Sequence, residues 1–209
     1  MKLILVRHGH VEGIKPERFR GRKEVPLTEL GKRQAIATAD RIAAEWKVDA
    51  VFTSPMGRSS DTARAIADRY RLKPQPLPEL MDFDYGEWSW KTHEEVQQTS
   101  QALYDLWFSA PHLARIPGGD TLQALALRTA DSLRLMLEAY RGHTVVAVGH
   151  DSVNRALLLQ LLDLPLSGYW RLQQHPCCIN EIDLDTTVSV QRINEHGHLL
   201  GLTERPEQA

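Results

Sequence analysis

Only two cysteines occur in the 209 residues, Cys177 and Cys178, and they are neighbours. Adjacent cysteines cannot staple distant parts of a chain, so a disulfide framework is excluded and a reducing compartment fits. No apolar stretch approaches the roughly eighteen residues of a membrane span. The four strongly apolar residues Leu3-Ile4-Leu5-Val6 are also too few for a secretory signal. Charge of one sign is not in excess either. The 25 Lys and Arg stand against 27 Asp and Glu, a formal net charge of −2, which sets up no field that draws a protein onto nucleic acid or a membrane. Repeats, low-complexity tracts and linkers are missing too. These absences leave a cytoplasmic protein with one domain over 1–209, long enough to bury a sizeable core, in which any attraction for anions is local.

Hydrophobic periodicity then sets out the elements. Residues 2–6 read as a buried strand, followed by a loop through Pro16 and Pro26. Thr28 can cap a helix whose Leu30, Ala35, Ile36, Ala39, Ile42, Ala43 and Trp46 recur at helical spacing. A short strand at 50–52 and a helix across 59–70 follow, a βαβα rhythm that favours a mainly parallel sheet. Between about 74 and 119 the aromatic and proline content rises around one helix near 93–108, and this stretch reads as an insertion over a site. The rhythm returns with a helix after Gly118-Gly119-Asp120, a strand at 144–148 and a helix over 152–162. Two alternating strands at 179–184 and 188–193 close the domain, and 204–209 reads as a frayed tail. The expected fold is a three-layer α/β/α sandwich with a mainly parallel central sheet. Its apolar C-terminal strand region offers a surface on which a homodimer can form.

Two histidines fall where buried strands end: His8, in Arg7-His8-Gly9, and His150, behind 144–148. Ligands bind at the carboxyl ends of strands in open α/β sheets, so two imidazoles converging there, with Arg7 beside one, predict an anion site. Phosphate ester cleavage needs an in-line nucleophile, cations around the phosphoryl oxygens and an acid for the leaving group. A neutral His8 can attack phosphorus and form a phosphoramidate that water later cleaves. His150 precedes a helix N-terminus, whose free N–H groups favour anions. Arg58 follows the second strand, at the same sheet end. A loop arginine is ordinarily a solvated or ion-paired residue, so either Arg7 or Arg58 alone means little.

Leu5-Val6-Arg7-His8-Gly9, Pro26-Leu27-Thr28-Glu29-Leu30-Gly31, Ser54-Pro55-Met56-Gly57-Arg58 and Val148-Gly149-His150 together resemble the histidine phosphatase superfamily, in its phosphoglycerate-mutase-like phosphatase branch. The resemblance implies a phosphohistidine on His8, a phosphate pocket of Arg7, Arg58 and His150, no metal and no organic cofactor. It places the proton donor in Asp82-Phe83-Asp84-Tyr85-Gly86-Glu87-Trp88, on Asp82, with Asp84, Glu79 and Glu87 as competitors. Apolar neighbours and phosphoryl charge should raise the Asp82 pKa and keep it protonated long enough to donate. The chain departs from the family pattern at Ile14, where many relatives carry a phosphate-touching asparagine, and at His10, where an acid is usual.

In the basic loop from Lys15 to Lys23, Arg20 and Gly21 sit where the resemblance places phosphate-side contacts, and Gly21 can offer a backbone N–H. Asp151 puts a carboxylate beside the anion site unless it turns away to cap the helix, the reading its position favours. His196-Gly197-His198 lacks a third ligand in register and reads as a surface turn. Tyr169-Trp170 and Trp88-Ser89-Trp90 read as packing. The expected activity is hydrolysis of a small phosphorylated metabolite. Phosphoglycerate-mutase-type transfer is the alternative, and a catalytically silent phospholigand-binding module the third reading.

Overall fold

In the computed structural model, which describes residues 1–202, the strands β1 (Lys2–Arg7), β2 (Ala50–Thr53), β3 (Gln75–Pro76), β4 (Thr144–Gly149), β5 (Ile179–Leu184) and β6 (Val188–Glu195) form one sheet. Their order is β3-β2-β4-β1-β5-β6. The first four run parallel, and β5 and β6 are antiparallel to their neighbours. Alternation along the strands sorts their side chains into two cores. Ile4, Val6, Val51, Val146 and Val148 pack on one face against α1 (Glu29–Glu45) and α2 (Gly57–Asp68). Leu3, Leu5, Phe52, Val145 and Ala147 pack on the other against α4 (Leu122–Ala139) and α5 (Asp151–Leu161). The result is the three-layer α/β/α arrangement that the strand and helix rhythm predicts. Among the described residues, no helix is long and apolar enough to cross a membrane.

Thr28 caps α1 through Gly31 N, as its sequence position predicts. The apolar stripe is partly misread, however: Ile36 is half exposed and Ala43 faces solvent, while Gln34 and Thr38 are buried in their place. The polar pair belongs there because it serves backbone. Gln34 Oε1 accepts from His10 N at 2.9 Å, and Thr38 Oγ1 donates to Cys177 O at 3.3 Å. Gly31 lets the start of α1 touch the loop behind β1, since a Cβ there would stand 2.1 Å from His10 O.

The segment 74–119 is less separate than an insertion. Gln75 and Pro76 pair with β2 as β3, and Leu80, Phe83, Trp88, Trp107 and Ile116 belong to the same core cluster as α4 and α5. Its helix α3 (His93–Ser109) carries a capping box between Thr92 and Glu95 and breaks at Ser100. The last strands form where alternation puts them. The 204–209 tail lies outside the described residues.

Candidate active site

β1 and β4 are adjacent and parallel, with Arg7 opposite Gly149, so the residues that follow, His8 and His150, leave the sheet side by side. Their ring centroids are 5.2 Å apart. His8 N donates to Gly149 O at 3.0 Å, and Cys177 N donates to Arg7 O and His8 O. The His8 ring contacts a carbonyl oxygen, Gly9 O, through Nδ1 at 2.7 Å. A carbonyl only accepts, so Nδ1 carries the proton and Nε2 keeps its lone pair. Arg58 Nε donates to that Nε2 at 3.2 Å.

Arg58 occupies the first turn of α2 because that helix begins at Gly57, two residues before the expected 59. Fully buried, it ties three segments together: Nη2 donates to Gly21 O at 2.7 Å and Asp82 Oδ2 at 2.9 Å, and Nη1 donates to Lys23 O at 2.9 Å. Asp82 Oδ1 accepts from Ser152 Oγ at 2.5 Å and from Phe83 N at 2.8 Å. Of the competing acids, Asp84 pairs with Arg22 at 3.5 Å and Glu87 is exposed, whereas Asp82 meets His150. His150 Nε2 meets Ser54 Oγ at 2.8 Å, and its Nδ1 lies 3.4 Å from Asp82 Oδ2. Arg7 donates through Nη1 to Gln174 O, while its Nε is buried without a hydrogen-bond partner among the described residues.

Electrostatics follow from this crowding. Burial, then Arg58, His150 and Arg7, hold the His8 pKa well below the usual imidazole range. Burial also lowers His150 to about 3, against the pull of Asp82 and with the help of Arg58 and Arg7. Asp82 corrects the sequence reading. Burial pushes its pKa up, but His150, Arg58, Ser152 and Phe83 N together outweigh burial and leave it lowered. Burial and the nearby Arg7 also lower Arg20, as happens when cations cluster around a place for an anion. Cys177 and Cys178 are raised to about 12 by burial and are inert.

The neutral histidines set a direction for stability against pH. As pH falls below about 6.5 the unfolded chain protonates these imidazoles, while folded His150 resists until about 3. Stability therefore falls with acidification across that window, by up to about 1.4 kcal/mol per pH unit for each histidine, and Asp82 adds a loss of the same sign at the acid end. Urea midpoints at pH 7 and pH 4.5 should show this drop, and His150→Asn should shrink it. An undiminished drop in the variant contradicts the assignment.

Outward from Asp82 opens a cavity of about 260 Å³, lined in part by Arg18, Arg20, Gly21, Asp151, Arg155 and Trp170. Arg20 and Gly21 both line this cavity. Gly21 accepts from Arg58 through its carbonyl; it has a φ of +46°, and a Cβ there would stand 2.7 Å from Phe83 O. Three further expectations need correction. Asp151 does not cap α5: His150 occupies the cap position, and Asp151 Oδ1 lies 3.1 Å from Arg155 Nε. Trp170 lines the cavity as well as packing. His198 is not a surface residue, since its Nε2 meets Thr38 Oγ1 at 2.9 Å. Ile14 packs beside Val11, Val25 and Leu27. Ser152, Ser54, Gln174 and Arg155 were not among the expected site residues. Helical spacing from Asp151 was the one available signal for Arg155.

Comparison with known proteins agrees with this geometry. The family model for the histidine phosphatase superfamily, branch 1, matches residues 3–196. Phosphoserine phosphatase 1 of Hydrogenobacter thermophilus is 32% identical over 170 residues, 81% of this chain and 80% of that one. Adenosylcobalamin/alpha-ribazole phosphatase of Escherichia coli is 25% identical over 193 residues, 92% and 95% of the two chains. The solved structure of YhfR from Bacillus stearothermophilus superposes with a TM-score of 0.90 at 26% identity, covering 95% of this chain and 98% of that one. Paired imidazoles at adjacent strand ends, guanidinium groups around them and a match over nearly the whole length lead to one conclusion: this chain belongs to the histidine phosphatase superfamily.

Proposed function

We propose that His8 is the phosphoryl acceptor and Asp82 the proton carrier of a phosphomonoesterase acting on a small phosphorylated metabolite. The carrying observation is the His8 ring itself, neutral, with Nδ1–H fixed on Gly9 O and the Nε2 lone pair turned to Arg58 Nε at 3.2 Å. An arriving phosphoryl group takes over the Arg58 donors, which frees Nε2 to attack phosphorus as the ester P–O bond breaks. The same event loosens the hold of Arg58 on Asp82 and adds negative charge beside it. Both effects raise the Asp82 pKa, so that the carboxylate takes up a proton from solvent as the ester binds and passes it to the departing alkoxide.

Arg7, whose Nε has no hydrogen-bond partner among the described residues, together with Arg58 and His150, holds the charge on the phosphoryl oxygens. In the second half Asp82, now ionised, takes a proton from the water that cleaves the phosphohistidine, releasing inorganic phosphate and neutral His8. Arg20, Gly21 and Asp151 line the route to the leaving group. The wild-type protein should release phosphate from p-nitrophenyl phosphate. It should release phosphate from 3-phosphoglycerate faster than it interconverts the 2- and 3-phosphates. Interconversion without release would assign transfer, and silence on every ester would assign a binding module.

A further inference from the structure

Arg155 is a cavity-lining cation that the phosphoryl chemistry does not use. Its exposure is 7%, yet Nε and Nη1 are buried without a hydrogen-bond partner among the described residues. Leaving guanidinium donors unmade in a buried position is costly, and a native site tolerates it where a ligand completes the set. The plane of the group is held by aromatic rings: Cζ lies 4.6 Å from the Trp170 centroid and 5.4 Å from that of Tyr169. Asp151 Oδ1 stands 3.1 Å from Nε in an ion pair without hydrogen-bond geometry, which leaves Nη1 for another acceptor. This contact also indicates which group fits the place, since the anion already resting against the guanidinium is a carboxylate.

Position along α5 places Arg155 next to the anchor of the proton carrier. Ser152, whose hydroxyl holds the Asp82 carboxyl, precedes Arg155 by three residues and shares its face of the helix. Three helical residues rise about 4.5 Å along the axis, so the residue that anchors the proton carrier and the residue that carries the spare guanidinium stand on neighbouring turns of one helix, and both line the cavity. We propose that Arg155 is a specificity-determining residue that receives a carboxylate carried by the leaving alcohol. The proposal rests on the phosphomonoesterase reading of the same site.

The test uses two substrate pairs that differ in the carboxylate: O-phosphoserine against O-phosphoethanolamine, and 3-phosphoglycerate against glycerol 3-phosphate. In the wild-type enzyme kcat/KM should favour the carboxylated member of each pair by about 10- to 100-fold, the range expected of a charge-assisted hydrogen bond. Arg155→Met keeps the stem on the aromatic rings and should lower that ratio at least tenfold in both pairs, mainly through KM. Because the readout is a ratio, a general loss of activity does not move it. Should the variant fail to fold, the wild-type ratios still decide. Ratios near one in the wild type, or an unchanged ratio in folded Arg155→Met, overturn the assignment while leaving the phosphatase intact. A wild-type enzyme inert on all four esters and on p-nitrophenyl phosphate removes the underlying reading and this inference with it.

Discussion

His8→Ala should abolish phosphate release, by about 10⁴-fold or more, and with it any acid-labile phosphoryl label on the protein. Arg7, Arg58 and His150 can still bind a phosphate ester, but the Nε2 lone pair that attacks phosphorus is gone. The fold should survive. The β1 ladder uses backbone atoms that alanine keeps, and the lost ring contacts are those with Gly9 O, Arg58 Nε and the edge of His150. Deleting a small buried polar ring costs about 1–2 kcal/mol. Chromogenic turnover, ³²P labelling and circular dichroism measured together check this. Turnover retained by a folded variant rejects His8 as the phosphoryl acceptor.

Asp82→Asn should separate the two halves of the reaction. An amide neither gives nor takes the proton, so alkyl esters, whose alkoxides are poor leaving groups, should lose about 10²–10⁴-fold in kcat. p-Nitrophenolate leaves without help, and its release should proceed as a burst close to one equivalent, after which the phosphohistidine accumulates because no base activates water. The asparagine oxygen can still accept from Arg58, but the buried charge loses its counter-ion, so the variant should be less stable. Rapid-mixing kinetics on both ester types provide the check. Equal losses on aryl and alkyl esters, with no burst, would move the proton transfer to another group.

The layout of strands was readable because buried parallel strands are short apolar runs ended by turn chemistry, as at 2–6 and 144–148. His8, His150 and Arg58 were readable because each follows such a run. Asp82 was reached through family likeness, and its electrostatics were misjudged, because the sequence displays its apolar neighbours Phe83 and Tyr85 and hides Arg58 and Ser152, 24 and 70 residues away. Arg155 was missed for a related reason. An arginine four residues after an aspartate on a helix ordinarily marks a solvated pair, and only the packing of Trp170 and Tyr169 over it makes it a buried one. Gln34 and Thr38 misled in the opposite sense, as polar residues buried to satisfy loop backbone.

Neighbouring strands of any sheet lie about 4.8 Å apart, and the two imidazoles, each one residue beyond the matched ends of β1 and β4, stand 5.2 Å apart. The reactive spacing is thus copied from the lattice of the sheet. Loops at the rim can lengthen, shorten or change composition, and so exchange one metabolite for another, without disturbing the ruler that measures the chemistry. A slip of β1 against β4 by one position, by contrast, would silence the enzyme with every rim residue still in place.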